Sequence, residues 1–166
     1  MSAIPVVVLV GKSGTGKTTF LEKLIKELKN RKIRIGTVKH DVHGFEIDKP
    51  GKDTWRCSQA GADAVAISSP WTFAMIRQVE EEMSLDQIVE QISRVDIILV
   101  EGFKRSTRPK IEIYRKAHSR ELLSRPEDLI ALVSDADWNI GVPFFGLNDA
   151  SGVADMLVEK YQLPAL

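Results

Sequence analysis

Eight consecutive residues, Gly11-Lys12-Ser13-Gly14-Thr15-Gly16-Lys17-Thr18, combine glycines, a lysine and a hydroxyl at a spacing suited to holding phosphate. The glycines let the backbone turn tightly and aim successive N–H groups into a concave nest. A helix starting just behind them adds the positive end of its dipole, so an anion meets donors and a favourable potential together. Lys17 then reaches the β- and γ-phosphates and the Thr18 hydroxyl becomes a Mg²⁺ ligand. An ordinary glycine turn before a helix is the plainer alternative. The setting weighs against it, because an apolar run, Val6-Val7-Val8-Leu9-Val10, precedes the glycines and a helically periodic segment, Phe20 to Leu28, follows. Strand, glycine loop and helix are the context a P-loop requires.

A P-loop needs an acidic partner near the metal, and the apolar strand Val95 to Val100 delivers Glu101 at its C-terminal end. Asp96 opens the same strand. Five residues at about 3.3 Å each separate the two carboxylates by roughly 16 Å, and only the C-terminal end of the strand lies beside the P-loop, so Glu101 is preferred. A plain surface carboxylate is the alternative reading. The strand Ile33 to Val38 brings Lys39, His40 and Asp41 to the same edge. Asp48-Lys49-Pro50-Gly51-Lys52-Asp53-Thr54 sets two lysines and two aspartates around a turn before a helix, a loop able to close over nucleotide or to stay a solvated turn. The stretch Lys104-Arg105-Ser106-Thr107-Arg108-Pro109-Lys110 carries four cations, readable as phosphate or partner contacts or as a solvated basic loop. His40, His43, Cys57 and His118 match no compact zinc-ligand spacing. The Asn-Lys-x-Asp string that reads guanine in many GTPases is missing. Asp135 and Asp149 follow core strands, where each can accept from a guanine edge or cap a turn or helix.

These side chains need a scaffold of alternating strands and helices. Ile4 to Val10 is apolar on both faces, as a covered parallel strand should be. Leu21, Leu24, Ile25 and Leu28 form the apolar stripe of the first helix, and Asp53 or Thr54 is expected to cap a short second helix. Ala64 to Ser68 and Thr72 to Arg77 predict an antiparallel hairpin and hence a mixed sheet; Trp71, Phe73 and Met75 alternate along it and are expected to pack in the core, with an interface as the alternative. Ser84-Leu85-Asp86-Gln87 is a capping box for a helix through Ile92. Lys110 to Tyr114 alternates like a half-exposed strand, Leu129 to Val133 and Val142 to Phe145 read as core strands, and Val153, Met156 and Leu157 mark a final helix. The expectation is one P-loop nucleotide-binding domain over residues 1–166, an α/β three-layer sandwich with a mostly parallel, mixed sheet.

Composition sets bounds. The 166 residues, 43% hydrophobic and 28% charged, are enough for a real core. Lys+Arg and Asp+Glu balance at 23 each, which favours no nucleic-acid or membrane partner. The single cysteine, Cys57, forbids an internal disulfide and is expected to pack; a soluble cytoplasmic protein fits best.

Gly11 to Thr18, Thr37-Val38-Lys39-His40-Asp41, the Asp48 to Thr54 loop, Gln59-Ala60-Gly61-Ala62 and Ile98-Leu99-Val100-Glu101-Gly102-Phe103-Lys104, in this order, resemble the molybdopterin-guanine dinucleotide biosynthesis protein B (MobB) family over nearly the whole chain. The resemblance implies a homodimeric GTP-binding accessory protein with weak GTPase activity. It would assist the MobA-type guanylyltransferase that joins GMP to molybdopterin, with molybdopterin-carrying proteins as further partners. Gly11, Ser13, Gly14, Thr15, Gly16, Lys17, Thr18 and Thr19 would then hold nucleotide, and Thr18 and Glu101 would hold Mg²⁺. Lys17 and Glu101 would serve the slow hydrolysis, and Lys39, His40, Lys52 and Asp53 would line the cleft. An ATP-dependent small-molecule kinase, with the Lys104 to Lys110 loop as a lid, is the rival; a subunit whose nucleotide site only stabilises a dimer is the third reading.

Overall fold

The computed structural model of the chain describes residues 3–136 and 138–164. In chain order the elements are β1 (Val6–Val10), α1 (Lys17–Asn30), β2 (Ile35–Lys39), α2 (Asp53–Gln59), β3 (Ala64–Ser68), β4 (Phe73–Arg77), α3 (Leu85–Val89), β5 (Ile97–Glu101), β6 (Lys110–Tyr114), β7 (Leu129–Ser134), β8 (Phe144–Phe145) and α4 (Ala150–Tyr161). They form two compact units, one running to His40 and resuming at Leu85, the other comprising Asp41–Ser84.

The first unit is a six-stranded sheet in the order β2-β5-β1-β6-β7-β8, every neighbouring pair parallel. Its faces are covered separately. On one, Val7, Leu9, Ile97 and Ile111 of the sheet bury against Leu21, Leu24 and Leu28 of α1 and Val153 and Leu157 of α4. On the other, Val6, Val8, Val10, Ile98 and Val100 meet Leu85, Ile88, Val89 and Ile92. The three-layer α/β sandwich is therefore present, and the side-chain alternation of β1 explains its unbroken apolar run, since both faces are covered. With all strands parallel, the C-terminal ends of β1, β2, β5, β6 and β7 share one edge, where open α/β sheets bind ligands. Gly36 on β2 leaves room for the covering layer, as a Cβ there would stand 2.8 Å from the Ile92 side chain.

The second unit holds α2 and the β3–β4 hairpin, antiparallel as expected but forming its own two-stranded sheet rather than joining the large one. None of its residues is buried. Trp71, Phe73 and Met75, expected in the core, are 95%, 65% and 53% exposed, because a hairpin paired only with itself has no second layer to cover that face. Cys57 is likewise exposed on α2 rather than packed. Neither Asp53 nor Thr54 caps that helix: Lys52 is the N-cap without a side-chain bond, and the Thr54 hydroxyl donates instead to Asp48 at 3.0 Å.

Two further expectations shift in the first unit. The helix after the capping box closes at Val89, short of Ile92. More consequentially, β6 is buried along its whole length instead of half-exposed. Its alternating charges do not face water. Lys110 pairs with Asp128 at 3.6 Å, and Glu112 accepts from the Leu123 and Ser124 N–H groups at 2.7 and 2.9 Å. Every residue of β6 is buried on both faces of the sheet, so each charge is met by a partner from the chain that follows.

Candidate nucleotide site

The loop after β1 makes its turns with Gly14 and Gly16, at φ 79° and 91°, both left-handed conformations that favour glycine. Gly16 is the N-cap of α1, so the helix N-terminus opens onto the loop. Gly11 is constrained by proximity, since a Cβ there would stand 2.4 Å from the Ile113 carbonyl oxygen. Thr15, buried at the base, donates to the Lys12 carbonyl at 2.9 Å, and Lys17 Nζ donates to the same oxygen at 2.9 Å. Ser13, Thr18 and Thr19 are exposed.

Glu101 stands where the sequence argument put it. It pairs in register with Leu9 on β1 and Lys39 on β2, and its carboxylate oxygens lie 2.9 and 3.0 Å from the donating Thr18 hydroxyl. Asp96, at the opposite end of β5, is occupied by Arg34, which holds its carboxyl below the usual carboxylate range. A threonine hydroxyl and a carboxylate in contact at a helix N-terminus are a hard-oxygen donor pair, the chemistry Mg²⁺ prefers. Those two residues fit the metal.

Lys39 and His40 reach the same edge. The His40 N–H donates to the Glu101 carbonyl at 2.9 Å and its ring stacks on Phe103 with centroids 4.3 Å apart. Gly102 permits that approach, being at φ 104° with His40 Cβ only 2.8 Å from where its own Cβ would be. Phe103 is itself left-handed at φ 44°, an uncommon state for a bulky residue, and the His40 stack is what it gains there. Burial holds the Lys17 amine below its ordinary value; Glu101 opposes the shift, while Lys104 and Lys39 reinforce it. Three lysines thus surround one carboxylate, an electropositive pocket for a polyanion.

Other candidates have structural employment. Arg108 pairs with Asp86, Asp149 caps α4 by accepting from the Gly152 N–H at 2.9 Å, and Asp135 accepts from the Lys116 N–H at 2.8 Å. Lys52 and Asp53 are exposed residues at the start of α2 in the second unit. Two further residues adjoin the P-loop: Arg115, which the sequence reading passed over and whose Nε donates to the Thr15 carbonyl at 2.9 Å, and His118, weighed there only as a zinc ligand, whose ring lies 3.1 Å from a Cβ placed on Gly14. Their position at the C-terminal end of β6, beside β1, was the available signal.

Comparison with known proteins agrees with this arrangement. The family model for MobB, molybdopterin guanine dinucleotide synthesis protein B, matches residues 6–135. The chain is similar to the molybdopterin-guanine dinucleotide biosynthesis adapter protein of Escherichia coli (strain K12), with 39% identity over 165 residues covering 96% of this chain and 94% of that protein. It is also similar to the protein of the same name from Haemophilus influenzae, at 36% identity over 93% of this chain and 88% of that one. Among solved structures, Bacillus subtilis MobB superposes with a TM-score of 0.73 at 29% identity, covering 95% of this chain and 97% of that one. From its glycine-rich Gly11–Thr18 loop, its parallel sheet and these matches, the chain belongs to the MobB family.

Proposed function

We propose that this protein is a GTP-binding accessory factor in molybdopterin guanine dinucleotide synthesis, a slow GTPase by itself, acting as a homodimer with a MobA-type guanylyltransferase. The observation that carries the reading is the contact of Thr18 with Glu101 at the mouth of the P-loop. It pairs a hydroxyl and a carboxylate where the phosphates of a nucleotide would bring Mg²⁺. Bound there, Mg²⁺ would neutralise phosphate charge; Thr18 and Glu101 would hold it, the loop N–H groups would orient the phosphates, and Lys17 would face the terminal ones. Both Glu101 oxygens lie within hydrogen-bond reach of the Thr18 hydroxyl, a metal-holding position rather than that of a base for water, which supports slow turnover without a partner. The relatives' naming as molybdopterin-guanine dinucleotide biosynthesis adapter proteins supports guanine over adenine.

The homodimer is supported by the second unit. Its hairpin leaves Ile67, Trp71, Phe73 and Met75 more than half exposed, an apolar surface that a lone soluble chain rarely presents. A two-stranded sheet is marginal without another layer, and a second copy supplies one.

Reconstitution tests the reading. Guanylyltransferase with molybdopterin and Mg²⁺-GTP should form more guanine dinucleotide when this protein is added, and Lys17→Ala should remove the gain. Equal stimulation by Lys17→Ala would contradict a role for the nucleotide site.

A further inference from the structure

We propose that Arg115 is a phosphate-binding residue of the nucleotide site, held in place by a rigid support formed by residues 115–124. The inference rests on the P-loop reading above. Arg115 Nε is committed to the Thr15 carbonyl, and Nη2 lies 3.5 Å from where a Cβ on Gly16 would stand. The guanidinium therefore lies along the Thr15–Gly16 turn, at the start of α1, the part of the loop whose N–H groups face an anion. Arg31, Arg34 and Arg108 give their terminal nitrogens to carboxylates of Asp155, Asp96 and Asp86. Arg115 does not: among the described residues the bond to Thr15 is the one its side chain makes, and its terminal N–H groups have no acceptor there. A planar fork of donors, fixed at one nitrogen and open at the others beside a phosphate nest, suits a phosphate oxygen.

The loop behind it is built to keep that position. Glu112, buried on β6, spends both carboxylate oxygens on the N–H groups of Leu123 and Ser124. The Tyr114 hydroxyl donates to the Ser119 carbonyl at 2.7 Å, and Ser119 Oγ donates to the Glu121 carbonyl at 2.6 Å. The N–H groups of His118 and Ser119 close on the Arg115 carbonyl at 2.9 and 3.2 Å, and the Lys116 N–H is held by Asp135. Each bond restrains the backbone on one side or the other of Arg115. The His118 ring stands beside Gly14, so the same segment also borders the tip of the P-loop.

Calorimetry with Mg²⁺-GTP and with Mg²⁺ and inorganic tripolyphosphate, which lacks base and sugar, tests the assignment. Arg115→Ala should weaken both ligands by roughly tenfold to a hundredfold, the scale of charged hydrogen bonds. Arg115→Lys should recover part of the loss, and Arg120→Ala, which removes an exposed cation of the same loop, should change little. A loss confined to GTP would place Arg115 on the nucleoside and overturn the proposal, as would unchanged binding. Melting of the ligand-free variants guards against a folding artefact: a loss that tracks lowered stability and that lysine fails to restore also counts against it. Wild-type protein that binds neither ligand would instead remove the P-loop reading, and Arg115 with it.

Discussion

Lys17 shows how the site is prepared for an anion. Burial, with Lys39 and Lys104 nearby, favours its neutral form, so its amine titrates lower in the folded chain than in the unfolded one. The sign follows: a charged Lys17 costs the ligand-free fold stability at neutral pH, and that cost is relieved as pH rises through the lowered pKa. A phosphate reverses the preference. Nucleotide affinity should therefore begin to fall below the ordinary lysine value of about 10.4, with proton uptake on binding. Titration across the alkaline range below that value, in buffers of different ionisation enthalpy, reads this directly; zero proton uptake throughout would contradict it. At this scale the sequence was informative where a function requires a local string. Gly11 to Thr18 is contiguous and Glu101 ends a strand, so both were legible. Arg115 reaches Thr15 across 100 residues of chain, a proximity that only the pairing of β6 with β1 creates.

Element by element, β6 explains both a misreading and a stability effect. Lys110, Glu112 and Tyr114 alternate with isoleucines, which in an antiparallel strand would mean one wet face. In a parallel sheet flanked by β1 and β7 the same pattern means buried charges, each with a partner. Glu112→Gln places an amide against one of two N–H donors and should destabilise the fold by about 1–3 kcal/mol, the cost of a buried donor left unmet. Urea unfolding measures it, and a change within about 0.5 kcal/mol would show that the loop does not depend on this carboxylate. Central strands and the two flanking helices were legible from apolar runs and stripes. The ends of α3 and β8 were not, since short elements are set by what they pack against.

On the scale of the whole molecule, the second unit is the part whose sequence spoke least clearly. Trp71, Phe73 and Met75 alternate as a core face would, and alternation alone does not say whether the covering layer belongs to the same chain. If the proposed homodimer forms through this face, wild-type protein should sediment as a dimer at micromolar concentration and Phe73→Asp with Met75→Lys as a monomer, with far-ultraviolet dichroism nearly unchanged. A dimer that survives both changes would place the interface elsewhere.

The first unit carries the central claim, that a P-loop with Thr18 and Glu101 at its mouth takes Mg²⁺-GTP. Calorimetric titration of the purified protein with GTP and with ATP, each with Mg²⁺ at matched salt, addresses it. A preference for GTP of about tenfold, worth about 1.4 kcal/mol, is predicted. An equal or greater affinity for ATP would contradict the account and favour a kinase, whose phosphate acceptor would then be sought.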